Sequence, residues 1–379
     1  MQAMDLKAYV NAHMEELYAL LKDLCLIPAP SHHEQLRADY CKRWFDKNCG
    51  EGAYIDEALN VIFPYGVTEE KKALSVLCAH TDTVFPDLEP MPYEERDGRI
   101  YCPGVGDDTA SLAVMMMCAK FFCENKIESK NGVLFVANSC EEGLGNLKGT
   151  RRLMADYAGR VSRFVSFDGS AFSCLVDRSV GSHRYLVTAR TAGGHSFGRF
   201  GNRNAIAVIA EMIGEIYAIE VPKKEGTKTT YNVGTVEGGT SVNTIAQEAR
   251  MLCEYRSDDL ACLTYMKKRF EEIFSAERAD ASVEIEKVGE RPCAANIDPA
   301  ALASLRKLCQ TATVQTLGGE PPLPVSGSTD ANIPHSLGIP AITMAVWEGA
   351  GAHTREEYIV KSSLLPGLEI GLRLALALA

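Results

Sequence analysis

The chain is short of the features that announce several large protein classes. Its 379 residues carry 39 lysines and arginines against 50 aspartates and glutamates, a net charge of −11. No basic excess therefore invites nucleic acid or an anionic membrane. No stretch approaches the roughly 18 uninterrupted apolar residues that a membrane span needs: Lys120 ends the richest run, 112–119, and Glu369 and Arg373 break the C-terminal one. The thirteen cysteines include no C-x-x-C pair, so a thiolate zinc motif of that kind is excluded, and their odd, scattered set argues against a disulfide framework. They read as reduced thiols. Asp5, Glu15, Glu16 and Asp23 interrupt the opening segment where a signal peptide needs an apolar core, which predicts a cytoplasmic protein. There is no internal repeat, and 46% hydrophobic with 23% charged residues leaves no disordered or low-complexity composition.

Nucleotide-binding motifs are also missing. EEGLGNLKGT has glycines and a lysine, but Lys148 precedes Gly149, whereas a phosphate-binding loop ends Gly-Lys-Ser/Thr. GVGDD lacks the third glycine of a dinucleotide fingerprint. A cysteine nucleophile at Cys140 lacks an evident adjacent histidine to activate it.

What is present suffices for about two domains, since a single core stops growing near 250 to 300 residues. Leu6, Val10, Met14, Leu17, Leu21 and Leu24 recur at helical spacing and stop before Pro28, predicting an amphipathic first helix. Short apolar runs then alternate with helical stretches: strands at 74–79, 133–139 and 164–167, and helices at 109–124 and 147–157. That alternation predicts an α/β sheet with crossovers. From about 181 the texture changes to HRYLVTAR, TTYNVGTV, EARMLCEYR and SVEIEKV, with helices near 203–217 and 258–275, as in a separate α+β sandwich. Beyond Arg291 and Pro292 come a helix at 299–311, a Gly/Pro/Ser-rich stretch from 318 to 329, an apolar run at 341–346 and a last helix near 362–378. The chain is expected to return there to its first domain.

Polar residues cluster at the ends of the predicted strands. VLCAHTD sets His80 and Asp82 after the first, NSCEEG sets Glu141 and Glu142 after the second, and FVSFDG sets Asp168 after the third. Ligands gather outside the carboxyl ends of strands in open α/β sheets. Asp107 and Asp108 stand before a helix, and GAHTREEYI supplies His353 near the end. Singly these are caps, turns and solvated pairs; together they form a donor set. Carboxylate oxygens and imidazoles without thiolates suit Zn²⁺ or a related divalent ion with room left for water. Asp82, two residues after His80, can fix the imidazole tautomer, and of two adjacent glutamates one can bind metal while the other acts as a base.

His80-Thr81-Asp82, the Asp107-Asp108 turn, Glu141-Glu142-Gly143, Asp168 and His353 resemble the ordered ligand signature of the M20 metallopeptidases, a family of peptidase T-like tripeptidases, carboxypeptidases, dipeptidases and N-acyl amino acid deacylases. The resemblance implies that His80, Asp107 and Asp168 bind one ion, that Asp107 bridges, that Glu142 and His353 bind the other, and that Glu141 is the general base with Asp82 beside it. The ions would be two divalent metals, zinc foremost, with cobalt or manganese as alternatives. TAGGHSFGRFGNRNAI resembles the family's smaller domain, where His195 would reach the active site of a partner subunit, implying a homodimer. Asn243 in GGTSVNTI, Arg256 in CEYRSDD, and Gly327, Ser328 and Asp330 in PVSGSTDAN are implied on the substrate side. An arginine suits a carboxylate because its planar fork makes two hydrogen bonds; a strand-end surface role is the competing reading.

The implied fold is α/β: a discontinuous catalytic domain, 1–180 with 296–379, holding a mixed sheet flanked by helices, and an inserted α+β sandwich at 181–295 for dimerisation and as a lid. The implied activity is metal-dependent hydrolysis of an amide bond of a small peptide by an activated water. Two other readings stay open: a deacylase of N-acyl amino acids, of the acetylornithine or succinyl-diaminopimelate type, and a metal-binding regulatory module without catalysis. Thr109 stands where the family often has lysine after the bridging Asp and one further residue, and Cys140 where it often has aspartate. Neither is a ligand, but both bear on the substrate. Asp168, rather than glutamate, looks more like the peptidase T and dipeptidase branches.

Overall fold

The computed structural model describes residues 5–70 and 73–379. The chain divides into two compact units, Met1–Arg178 with Asn296–Ala379, and Ser179–Ala295.

The first unit is built on an eight-stranded mixed sheet. Its order is Tyr54–Ile55, Val61–Tyr65, Gly132–Asn138, Leu74–His80, Val161–Phe167, Ala341–Met344, Cys174–Ser179 and Leu323–Gly327. The central four strands, from Gly132–Asn138 to Ala341–Met344, run parallel, so their carboxyl ends share one edge. They are apolar on both faces, as strands covered on both sides must be. Alternation sorts their side chains: Val76, Cys78, Leu134, Val136 and Phe164 enter one core with Leu153 and Ile333. Leu77, Ala79, Phe135, Val165 and Phe167 enter the other, against the helices Leu6–Cys25, Ser111–Glu124 and Leu364–Leu378. Ser111–Glu124 is buried on nearly every side, which is why its sequence reads as an apolar run rather than a stripe.

Local signals account for many element ends. Asp5 accepts the Ala8 N–H at the start of the first helix, and Asp298 caps Pro299–Leu317, whose proline occupies the first turn, where a missing N–H costs nothing. That helix runs a turn and a half beyond the expected 311, because Gly318 with a positive φ is the first residue suited to end it. The helix Gln35–Cys49 was not foreseen; its inward face includes Arg37, which burial hides from a hydrophobic pattern. Arg37 donates to the main-chain oxygens of Leu24, Ile27 and Thr81. The stretch at 318–329 contains the edge strand Leu323–Gly327.

The second unit is a four-stranded antiparallel sheet, ordered Thr229–Gly238, Glu248–Ser257, Gly181–Thr191 and Ala281–Arg291. Helices Ala205–Tyr217 and Leu260–Ser275 share its core, where Val187, Met251 and Tyr255 meet Val208, Met212, Met266 and Phe270. A two-stranded ladder pairs Gly194–His195 with Thr244–Ile245. Together the two units make a mixed α/β fold with an inserted α+β unit.

Candidate metal and catalytic site

His80 ends its strand opposite Asn138 and is 1% exposed. Its main-chain N–H donates to Asp108 Oδ2 at 2.9 Å. Its Nδ1 lies 3.0 Å from the main-chain oxygen of Asp82 and 3.5 Å from Asp82 Oδ1, which leaves Nε2 to face Asp107 Oδ1 at 3.1 Å. The tautomer expected from Asp82 is thus held chiefly through its carbonyl. The Asp82 carboxylate is engaged elsewhere: Oδ1 accepts the Glu141 N–H at 2.9 Å, and Oδ2 accepts the Glu142 N–H at 3.0 Å and the Ser31 hydroxyl at 2.7 Å.

Asp107 ends a loop packed tightly against its surroundings. Gly104 has φ +76°, and a Cβ at Gly106 would fall 2.3 Å from the Trp347 ring, so both glycines of GVGDD are required by geometry. The second carboxylate oxygen of Asp107 faces His353 Nε2 at 3.1 Å, and the same nitrogen lies 3.2 Å from Glu142 Oε1. Asp168 follows its strand and donates its N–H to the Met344 oxygen at 3.0 Å. One donor atom from each residue falls within 4.8 Å of the others in three groupings: His80 with Asp107 and Asp168; Asp107 with Glu142 and His353; and His80 with Glu141 and Glu142. Glu141 and Glu142 are each 5% exposed.

The electrostatics are those of a site short of positive charge. Burial, then repulsion from Asp107, pushes the Asp168 carboxyl well above its usual range. Burial likewise raises Glu142, and its contact with His353 offsets only part of that rise. For Asp107 burial acts in the same sense but is outweighed by hydrogen bonds to His353 and His80, which hold it below the ordinary range. His353 is pushed up to about 10 by hydrogen bonding to Asp107 and Glu142. Crowded buried carboxylates need a compensating cation, and oxygen and imidazole donors of this kind suit zinc, cobalt or manganese. The residues fit a divalent metal.

The remaining expected residues are more dispersed. His195 is exposed, and its Nδ1 accepts the N–H groups of Phe197 at 3.3 Å and Gly198 at 3.2 Å, so the ring proton resides on Nε2. Asn243 adjoins it: the Ser196 N–H donates to the Asn243 main-chain oxygen at 2.9 Å, and Ser241 Oγ to its side chain. Arg256 lies on the strand Glu248–Ser257 of the four-stranded sheet, with its fork on Glu254 at 2.7 and 3.0 Å. Gly327 ends the edge strand, where a Cβ would meet Val176 at 2.8 Å; Ser328 follows it, with two strands lying between theirs and Val161–Phe167. Asp330 is fully buried, and its carboxylate accepts hydrogen bonds from Asn138 and Thr150.

Several supporting residues escaped the sequence reading. Glu34, fully buried, accepts the N–H groups of His32 and Cys140 and the Cys140 thiol through Oε1. His32 Nδ1 does stand 3.5 Å from Cys140 Sγ, against the expectation that no histidine adjoins it. Burial and Glu34 nevertheless push the thiol up to about 12, so it offers no thiolate. Glu357 buries its carboxylate against the loop that carries Asp107. Its only sequence signal is its place in GAHTREEYI, where nothing separates it from the exposed Glu356.

The sequence is 27% identical over 307 residues to the uncharacterized protein YqjE of Bacillus subtilis, covering 77% of each chain. It is 24% identical over 251 residues to a succinyl-diaminopimelate desuccinylase of Nitrosococcus oceani, covering 62% of this chain and 66% of that one. The fold is similar to that of the aminopeptidase PepT from Bacillus cereus, with a TM-score of 0.74 at 21% identity over 96% of this chain and 98% of that one. The sequence pattern of peptidase family M20/M25/M40 matches residues 76–377, a span containing every metal-donor candidate, and the chain is accordingly a hydrolase of that family.

Proposed function

We propose that this hydrolase cleaves an amide bond of a small peptide, with two divalent cations, zinc foremost, sharing Asp107. His80 and Asp168 complete one cation position, and Glu142 and His353 the other. The observation that carries this reading is the Asp107 carboxylate between two imidazole Nε2 atoms, 3.1 Å from each. When bound, such ions polarise the substrate carbonyl and acidify water. Glu141 takes the proton of the attacking water and delivers it to the leaving amine. Asp82 keeps Glu141 in place through its main chain.

In this reading the 181–295 insert is a dimerisation and lid domain, and His195 of one protomer donates from Nε2 to the oxyanion formed at its partner's site. The Nδ1 contacts with Phe197 and Gly198 support that donor role. Asn243 binds the substrate carbonyl, and Arg256 a substrate carboxylate that competes with Glu254. Gly327 and Ser328 border the substrate.

A peptide is favoured over an N-acyl amino acid by Asp168 and by the likeness to an aminopeptidase over nearly the full chain. The relative named as a succinyl-diaminopimelate desuccinylase supports deacylation as the second reading. The deciding experiment removes metal with a chelator, reloads Zn²⁺, Co²⁺ or Mn²⁺, and compares di- and tripeptides with N-acetyl and N-succinyl amino acids. Turnover of peptides is expected; turnover confined to N-acyl amino acids would reverse the assignment.

A further inference from the structure

Glu357 lies four residues beyond His353 and is fully buried. Its carboxylate accepts three main-chain N–H groups: Gly104 at 2.7 Å on Oε2, and Gly106 at 2.8 Å and Asp107 at 2.7 Å on Oε1. All three belong to the one loop that carries Asp107. The main chains join there too, with the Cys102 N–H donating to the Glu357 oxygen at 3.3 Å and Tyr358–Val360 pairing with Arg99–Tyr101. Thr83 and Trp347 pack closely against the two glycines of this loop but leave its N–H groups to be paired, and one carboxylate facing three of them fixes the orientation of its main chain.

The arrangement links two donors through one segment. His353 approaches Asp107 from the side-chain end, while Glu357 grips the same residue's main chain. We propose that Glu357 is a positioning residue that orients Asp107 so that its two oxygens face His80 and His353 at once. The inference rests on the reading of Asp107 as the shared ligand. It makes cation affinity depend on a residue that is not itself a ligand. Partners that hold metal ligands in place are worth roughly ten- to a hundredfold in affinity, because ligand distances tolerate only about 0.2 Å of error.

The test uses the full chain, freed of metal and titrated with Co²⁺ by calorimetry and visible absorption. Glu357→Asp and Glu357→Gln should bind Co²⁺ about ten- to a hundredfold more weakly, with an altered spectrum. They should lower kcat more than they change KM, while the metal-free Glu357→Asp chain keeps its far-ultraviolet circular dichroism. Amide exchange on the unaltered protein gives a reading that needs no variant: the N–H groups of Gly104, Gly106 and Asp107 should be as protected as those of the central strands. Fast exchange at these three, or unchanged cobalt affinity and spectrum in both variants, overturns the inference. Asp107→Ala separates this from the underlying reading, since cobalt binding unchanged in that variant would refute the shared ligand itself.

Discussion

The carboxylate of Asp82 accepts the main-chain N–H of Glu141 at 2.9 Å, so the residue that follows the His80 strand holds the loop that follows its neighbour. Asp82 is fully buried and also receives Glu142 and Ser31. Asp82→Asn replaces an acceptor oxygen with a donor and sets N–H against N–H. We expect a loss of about 1–3 kcal/mol in urea unfolding and a lower kcat. Unchanged stability and turnover would show that the loop is held by other means.

Glu141→Gln removes proton transfer and keeps the shape of the side chain. Turnover should fall at least about a hundredfold, with metal content by atomic emission near that of the unaltered protein. Retained turnover would exclude Glu141 as the base.

Metal removal should lower stability. Cations that bind the folded chain alone stabilise it by about 2.7 kcal/mol at a free concentration a hundredfold above Kd. The Tm should therefore drop on adding a chelator and recover on adding Zn²⁺. In His353→Ala the chelator-induced drop should shrink, and a full-sized drop would remove His353 from the ligand set.

A site shared between protomers predicts complementation. Glu141→Gln and His195→Ala should each be nearly inactive, and mixing them under conditions of subunit exchange should restore activity, since a mixed dimer holds one complete site. No recovery despite proven exchange would confine His195 to its own chain.

His335 offers a pH dependence apart from the metal groupings. Its Nε2 lies 2.9 Å from the Ala341 oxygen, and burial lowers its pKa to about 4 from an ordinary value of about 6.5. The folded state therefore favours the neutral ring. The unfolded chain binds more protons between these values, so this stability is complete above about 6.5 and is lost as pH falls toward 4, on the order of 3 kcal/mol. Urea unfolding at pH 7.5 and 4.5 should show a smaller decline in His335→Gln, and equal declines would exclude His335 as the source.

The α/β class was legible because its signals are local. Apolar runs too short for helices are closely followed by His80, Glu141 and Asp168, and the crossover helices lie between them. The helix Gln35–Cys49 was not legible, since its inward face includes Arg37, and neither was the edge strand Leu323–Gly327, whose composition is that of a loop. Glu34 and Glu357 escaped for another reason: a buried carboxylate that binds main-chain N–H groups has the same residue type as a solvated one.

By itself the sequence determined which carboxylates and imidazoles are available, their order along the chain and the alternation of strand and helix, since residue type and short-range periodicity need no partner. Only the tertiary structure decided that four parallel strands present their carboxyl ends on one edge, that Asp107 faces both His80 and His353, and that Glu357 rather than Glu356 holds its loop. Those relations depend on sheet order and on which side chains burial deprives of water. Neither is a property of any one stretch of chain.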